Sequence, residues 1–199
     1  TVIKNLEKRQ MEGYYCPTVE DAEKLAFSFL KDGQTVSFGG SMTLEETGML
    51  TALRHDPSIH LIDRSTAKTP DETKKMYHDA LSSDVYFMST NAITTGGELV
   101  NIDGTGNRVA ALIYGPETVV ILAGMNKIAA NVDEALSRVH NVATAQNCIR
   151  LDKKTPCAIT GACADCLSPD CICNQVVITR RSGIKGRIKV LLIGESFGY

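Results

Sequence analysis

Short apolar runs alternate with helix-period segments along most of this chain, and that alternation restricts its fold more than any other feature. Gln34–Phe38, His60–Ile62, Val85–Met88 and Val119–Ala123 are strand-like, the last being the most apolar. The segments around them read as helices. Thr18 caps one that carries Ala22, Leu25, Ala26, Phe29 and Leu30 and ends before Gly33; Leu44–Leu50 is a second, Pro70–Leu81 a third, Val109–Ile113 a fourth, and one from Asn131 through Val142 a fifth. Two extended runs flank Gly96-Gly97, and Gln175–Thr179 and Arg187–Ile193 supply late strands. The expected fold is α/β: a Rossmann-like, mostly parallel sheet flanked by helices, with a cysteine-rich insertion before the last strands. In open sheets of this kind ligands sit beyond the carboxyl ends of the strands.

At 199 residues the chain predicts one domain spanning 1–199, with 155–174 as a cysteine-rich segment within it. Hydrophobic residues are 43% and charged residues 22%, and the net charge is -2, a balance that fits neither disorder nor the coating of a polyanion. Nucleic acid is therefore not an expected partner. No run approaches the roughly 20 apolar residues of a membrane span, and the start Thr1-Val2-Ile3-Lys4-Asn5 has no signal-peptide core, so a cytoplasmic protein is expected. A homo-oligomer is compatible with the sequence, which does not set the oligomeric state.

Two loops collect candidate ligand groups. In Phe38-Gly39-Gly40-Ser41-Met42-Thr43, the glycines let backbone approach a ligand, and the following helix start with the Ser41 and Thr43 hydroxyls suits phosphate or carboxylate. The same residues also make an ordinary capped strand-to-helix turn, and they match neither the P-loop nor the dinucleotide fingerprint. Between residues 91 and 108, Asn91, Thr94, Glu98, Asn101, Asp103, Asn107 and Arg108 gather around four glycines. Glu98 and Asp103 are candidates for nucleophile or general base, and Arg108 for orienting an anionic substrate; some of these residues equally serve as turn formers. Lys127, just past the most apolar strand, is placed to meet an anion in the same cleft, although such a lysine is more often solvated. The four histidines show no paired spacing.

Five of the seven cysteines crowd into Cys157, Cys163, Cys166, Cys171 and Cys173, with Cys16 and Cys148 apart. The spacing C-x5-C-x2-C-x4-C-x-C suits a metal in a reducing compartment better than an extracellular disulfide frame. Zinc and an iron–sulfur cluster both remain open, as do reduced thiols.

On the motifs Lys8–Gly13, Phe38–Glu46, Ser89–Thr94, Gly97–Gly104, Gly106–Ala111, Gly124–Lys127 and Thr155-Pro156-Cys157, the chain resembles the lactate-utilisation (LUD) family, in its small single-domain branch. The resemblance spans nearly the whole chain. It implies Cys157, Cys163, Cys166 and Cys173 as the four metal ligands, with Cys171 at a position commonly basic in the family. It also implies fold kinship with the ribose-5-phosphate isomerase and CoA-transferase group, in which an acidic residue near a glycine loop acts as base or nucleophile; Glu98 is the matching position. The implied role lies in L-lactate oxidation beside iron–sulfur partner proteins. Because no flavin or nicotinamide motif is present, the expected role is accessory or electron-transfer-associated, with a small anionic metabolite in the cleft. An isomerase or acyl/CoA-transfer enzyme using Glu98, and a metal-dependent interaction module, are the alternatives.

Overall fold

A computed structural model describes residues 1–199. In chain order the elements are α1 (Val2–Lys8), β1 (Glu12–Cys16), α2 (Val19–Phe27), β2 (Thr35–Phe38), α3 (Met42–Glu46), α4 (Met49–His55), β3 (His60–Ile62), α5 (Pro70–Ala80), β4 (Val85–Met88), β5 (Ala92–Thr94), β6 (Leu99–Asp103), α6 (Asn107–Ile113), β7 (Thr118–Gly124), β8 (Ile128–Ala129), α7 (Val132–Arg138), α8 (Ala145–Arg150), α9 (Pro156–Thr160), β9 (Gln175–Thr179) and β10 (Ile188–Ile193).

Six strands form one wholly parallel sheet in the order β1-β10-β7-β4-β2-β3. Its centre reads directly from period-two side chains. In β7, Val120 and Leu122 face one core with Val85, Phe87, Leu191 and Ile193, where α2, α3 and α4 deliver Ala22, Ala26, Leu44, Leu50 and Leu53. Val119, Ile121 and Ala123 face the other core with Tyr86, Met88, Val190 and Leu192, met by Leu6 of α1, Ala80 of α5 and Leu112 of α6. Each fully buried Leu, Ile or Phe contributes about 1.5–3 kcal/mol. Strand direction reverses its march across the sheet at β2, which pairs with β3 on one side and β4 on the other.

Beyond the expected mostly parallel sheet, the chain builds a second sheet, β8-β5-β6-β9, with β6 antiparallel to both β5 and β9. β10 joins the parallel sheet, but β9 pairs with β6. The second sheet turns Ile93 and Leu99 toward the second core, and its opposite face carries Ala92, Val100 and Ile102 against Ala135, Val139 and Ala143. Those three alanine and valine positions repeat every fourth residue along one helix: α7 passes through a π-helical stretch, Val139–Thr144, into α8 without a break. The expected helix from Leu44 to Leu50 is two helices. Gly48 turns the backbone to φ 74°, ending α3 and starting α4 in a new direction. No helix is long and apolar enough to cross a membrane.

Candidate anion-binding cleft

Because the sheet is parallel, the loops after β2, β3, β4 and β7 leave on one side. They bring Gly39–Ser41, Asp63-Arg64, Ser89–Asn91 and Met125–Lys127 to the same edge, and the second sheet adds Asp103–Arg108 opposite them. Between lies a cleft of about 750 Å³, walled by Gly40, Ser41, Arg64, Asn91, Asp103 and Arg108 and reached from solvent past Asn147, Arg150 and Lys153. A narrower recess of about 40 Å³ continues behind Ser41 and Met42 to Lys127.

Arg108 braces this edge. Its guanidinium donates to the Ser89 carbonyl at 3.2 Å, to Asn101 Oδ1, to Asn91 Oδ1 at 3.1 Å and to the Ile102 carbonyl at 3.0 Å, with its Nε 3.5 Å from Asp103 Oδ2. All its donor directions are thus occupied by protein, so it holds the loop in shape and lends the cleft its charge. Asn91 Oδ1 also accepts from the Ile102 N–H at 3.0 Å, which locks β5 against β6. Asp103 accepts from the N–H groups of Gly106 and Val109 at 3.1 and 3.3 Å and so caps α6. Asn101 is fully buried, and its Nδ2 is the one buried side-chain nitrogen or oxygen in the chain lacking a partner. Asn107, at the start of α6, lines the cleft.

Arg64 lines the cleft with no carboxylate paired to it. Asp63 caps the turn Arg64–Thr66 by accepting from the Ser65 N–H at 2.9 Å, and its other oxygen pairs with Arg54 at 2.8 Å. That turn aims Arg64 back across the cleft, over the Tyr77 ring at 5.5 Å. None of the chain's six ion pairs includes Arg64. Its Nη2 lies where a side chain on Gly40 would begin: a Cβ there would stand 2.4 Å away. Gly40 is needed for this approach of a cation, and Gly39 for that of Arg108 and Tyr86, whose atoms a Cβ would meet at 3.0 to 3.2 Å. The hydroxyls expected to help an anion are turned inward. Ser41 Oγ accepts from the Leu44 N–H at 3.4 Å as the α3 cap, and Thr43 Oγ1 donates to the Phe197 carbonyl at 3.2 Å. Met42 lies where cleft and recess meet.

Lys127 is buried rather than solvated, at 3% exposure. Its Nζ donates to Thr43 Oγ1 at 2.8 Å and Ser89 Oγ at 3.0 Å. Burial first, and then the charges of Arg138 and Arg108, push its ammonium down to about 7.

Glu98 lies elsewhere. It follows the β5–β6 hairpin turn, where Gly97 sits at φ 88° pressed onto the backbone of Asn5, and it lines neither cleft nor recess. Arg9 of the segment after α1 pairs with it, and Thr94 Oγ1 donates to it. Burial alone would raise its pKa, but the Thr94 hydroxyl, its own backbone N–H and the charges of Arg9 and Arg180 outweigh that and hold the carboxyl below its ordinary value. A carboxylate so stabilised is a weak base, and its surroundings make it a clasp between α1 and the second sheet.

The four thiols expected as metal ligands are not gathered. Cys157 is buried with Cys148 and Ala145, Cys173 Sγ is 3.6 Å from Thr144 Oγ1, and Cys163 is exposed with its sulfur 3.6 Å from His140 Nδ1. Nowhere do three His, Cys, Asp or Glu side chains stand close enough to hold an ion, so the placed thiols do not fit zinc or an iron–sulfur cluster. Cys148, set apart in sequence, packs with Cys157 in one small buried cluster, where burial raises its thiol pKa. Spacing alone missed Cys148 because α8 brings it to the segment from outside. Arg64 and Tyr77 were missed too, although Asp63-Arg64 directly follows a strand as Ser41 nearly does, and reading the polar residue after every strand finds it.

A single open parallel sheet with its polar loops gathered at the carboxyl edge makes this an α/β domain of the Rossmann-like class. The LUD domain family matches residues 1–193, and the chain belongs to that family, which is associated with lactate utilisation. A DUF162 family protein from Deinococcus radiodurans shares its fold, with 12% identity over 97% of this chain and 96% of that one and a TM-score of 0.52. Ribose 5-phosphate isomerase A from Methanocaldococcus jannaschii is a more distant structural neighbour, 19% identical over 57% of this chain and 54% of its own, TM-score 0.34. So is eIF2B delta from Chaetomium thermophilum, 19% identical over 60% and 51%, TM-score 0.38. No curated protein matches the chain.

Proposed function

We propose that this chain is an accessory protein of L-lactate or related organic-acid utilisation whose cleft binds a small anionic metabolite. The observation carrying the reading is Arg64, a guanidinium without a carboxylate partner, stacked on Tyr77 and pressed to Gly40 at the carboxyl edge of the sheet. The charge balance agrees with it. Of the lining carboxylates, Asp63 and Asp103 are consumed by Arg54 and Arg108, which leaves Arg64, Arg150 and Lys153 against Glu45 and Asp170. Arg rather than Lys at this point favours planar, two-pronged recognition of a carboxylate or phosphate. The alternative, isomerase or acyl/CoA-transfer chemistry through Glu98, is disfavoured by that residue's distance from the cleft and its pairing with Arg9.

Growth on lactate tests the role. A strain lacking this chain should grow poorly on lactate and normally on glucose, with rescue by the wild-type gene and not by Arg64→Met; normal lactate flux in the deletion strain contradicts it. A metal on the cysteine segment, zinc or an iron–sulfur cluster linking the chain to iron–sulfur partners, is a second proposal. It is favoured by the packing of Cys148 with Cys157 and by Cys171 acting on both Cys148 and Cys173, and it requires residues 161–174 to rearrange so that Cys163 and Cys166 join them.

A further inference from the structure

Lys127 has surroundings that anion binding alone does not explain. A lysine that serves as a cationic anchor is expected to form an ion pair or to open to solvent. Lys127 has no ion pair, is 3% exposed, and sits at the end of a recess too small for a whole metabolite but large enough for a carbonyl group.

Its hydrogen bonds specify the form of the nitrogen. The Thr43 hydroxyl is itself committed as a donor to the Phe197 carbonyl, and the Ser89 hydroxyl to the Thr90 carbonyl at 3.3 Å, so each can only accept from Lys127. Two acceptors satisfy the two N–H bonds of a neutral amine and leave its lone pair without a donor. An ammonium would have a third N–H without a protein acceptor, which disfavours the charged form in a buried position. The nearby positive charges of Arg138 and Arg108 disfavour the ammonium further and outweigh the opposing charge of Glu46.

We propose that Lys127 is a nucleophile that condenses with the carbonyl of a small oxo acid whose carboxylate is held in the cleft. The inference rests on the anion-binding reading, because Arg64 is the group that holds the carboxylate. The lone pair of Nζ adds to the carbonyl carbon and forms the C–N bond, while the π pair moves to oxygen. One proton passes from nitrogen to that oxygen, giving a carbinolamine. The hydroxyl then leaves as water after taking up a further proton, the nitrogen lone pair forms C=N, and the remaining N–H proton is released. The sum is amine plus carbonyl giving imine plus water, with no oxidant or reductant. The Thr43 and Ser89 oxygens accept from Nζ at 2.8 and 3.0 Å and so orient the amine, while water entering from the cleft carries the protons.

The test is reductive trapping. The protein is incubated near pH 7 with pyruvate, 2-oxobutyrate or 2-oxoglutarate and cyanoborohydride, and the modified lysine is mapped by mass spectrometry. At that pH an amine titrating at about 7 is roughly half neutral, on the order of a thousandfold more than an ordinary lysine, so Lys127 should carry nearly all the label. The label should vanish in Lys127→Met and Lys127→Arg, two variants that give the lost nitrogen different replacements, and fall at least about tenfold in Arg64→Met. Label spread over surface lysines, or no adduct with any of the three acids, overturns the proposal. If pyruvate binding measured calorimetrically survives while no adduct forms, the nucleophile fails and the anion cleft stands. If binding and adduct are both absent, both fail. An adduct at Lys127 that ignores Arg64→Met supports the nucleophile and counts against the cleft reading.

Discussion

Gly40→Ala separates the fold from the site. A Cβ at this position would lie 2.4 Å from Arg64 Nη2 and otherwise near only the Arg64 guanidinium carbon at 3.6 Å, and the backbone of Gly40 is outside the left-handed region. The obstacle is the free end of a long side chain with no ion pair, so Arg64 must move by about 1 Å or swing out, and the backbone need not. Loss of its stacking on Tyr77 costs the fold about 0.5–1 kcal/mol. The ligand loses a charge-assisted contact worth about 1.5–3 kcal/mol, roughly a 10- to 150-fold weaker Kd. Gly39→Ala should do the reverse. Its Cβ would meet Arg108 Cγ at 3.0 Å and Cδ at 3.1 Å, and Arg108 is pinned by bonds to Ser89, Asn91, Asn101 and Ile102, so the strain of about 1–3 kcal/mol falls on stability. Thermal unfolding of both variants, beside calorimetric titration with L-lactate and pyruvate, reads the two effects separately. Unchanged anion affinity in Gly40→Ala, or a stability loss there as large as in Gly39→Ala, would refute the reasoning.

Glu98→Gln should lower stability by about 1 kcal/mol through the Arg9 pair and leave anion affinity in the cleft unchanged; a selective loss of binding or turnover without destabilisation would return Glu98 to the site. For Lys127, whose ammonium titrates near 7 when folded and near about 10.4 when unfolded, the unfolded chain holds the extra proton between those values, so stability rises with pH across that window. The rise is at most about 1.4 kcal/mol per pH unit, and denaturant titrations at pH 7 and 9 should show it in wild type relative to Lys127→Met; parallel curves contradict the buried amine. Anaerobically purified protein analysed for zinc, iron and visible absorption tests the cysteine segment. Metal that drops in Cys163→Ser with Cys166→Ser, in a protein whose parallel sheet remains folded, supports the second proposal; its absence leaves the cysteines as thiols.

The centre of the parallel sheet was legible because its strands are short apolar runs buried on both faces: Val85–Met88 forms as expected and Val119–Ala123 forms with one more residue at each end, and the half-buried edge strand His60–Ile62 also forms as expected. The amphipathic strand β1 was not, since Glu12, Gly13 and Tyr14 are half-buried at a sheet edge and carry no apolar run. β9 was legible as a strand but not as a member of the second sheet. Its exposed Val176 and Ile178 mark an edge, and which edge depends on pairing with β6 across more than seventy residues. Loop residues at strand ends were found where glycine and asparagine cluster, as at Gly39-Gly40 and Asn91. Arg64 carries no such flag; its meaning comes from Asp63, Tyr77 and Gly40, which only the fold brings together. For Glu98 the glycines beside it suggested a ligand loop, whereas they serve a hairpin turn seated on α1.

The central claim is that Arg64 makes this cleft a carboxylate site, and isothermal titration of wild type and Arg64→Met with L-lactate and pyruvate tests it most directly. Wild type should bind at least one of the two, with affinity that falls as salt rises, and Arg64→Met should bind it at least about tenfold more weakly while unfolding at nearly the same temperature. Equal affinity in the two proteins, or no binding of either acid by wild type, would contradict it.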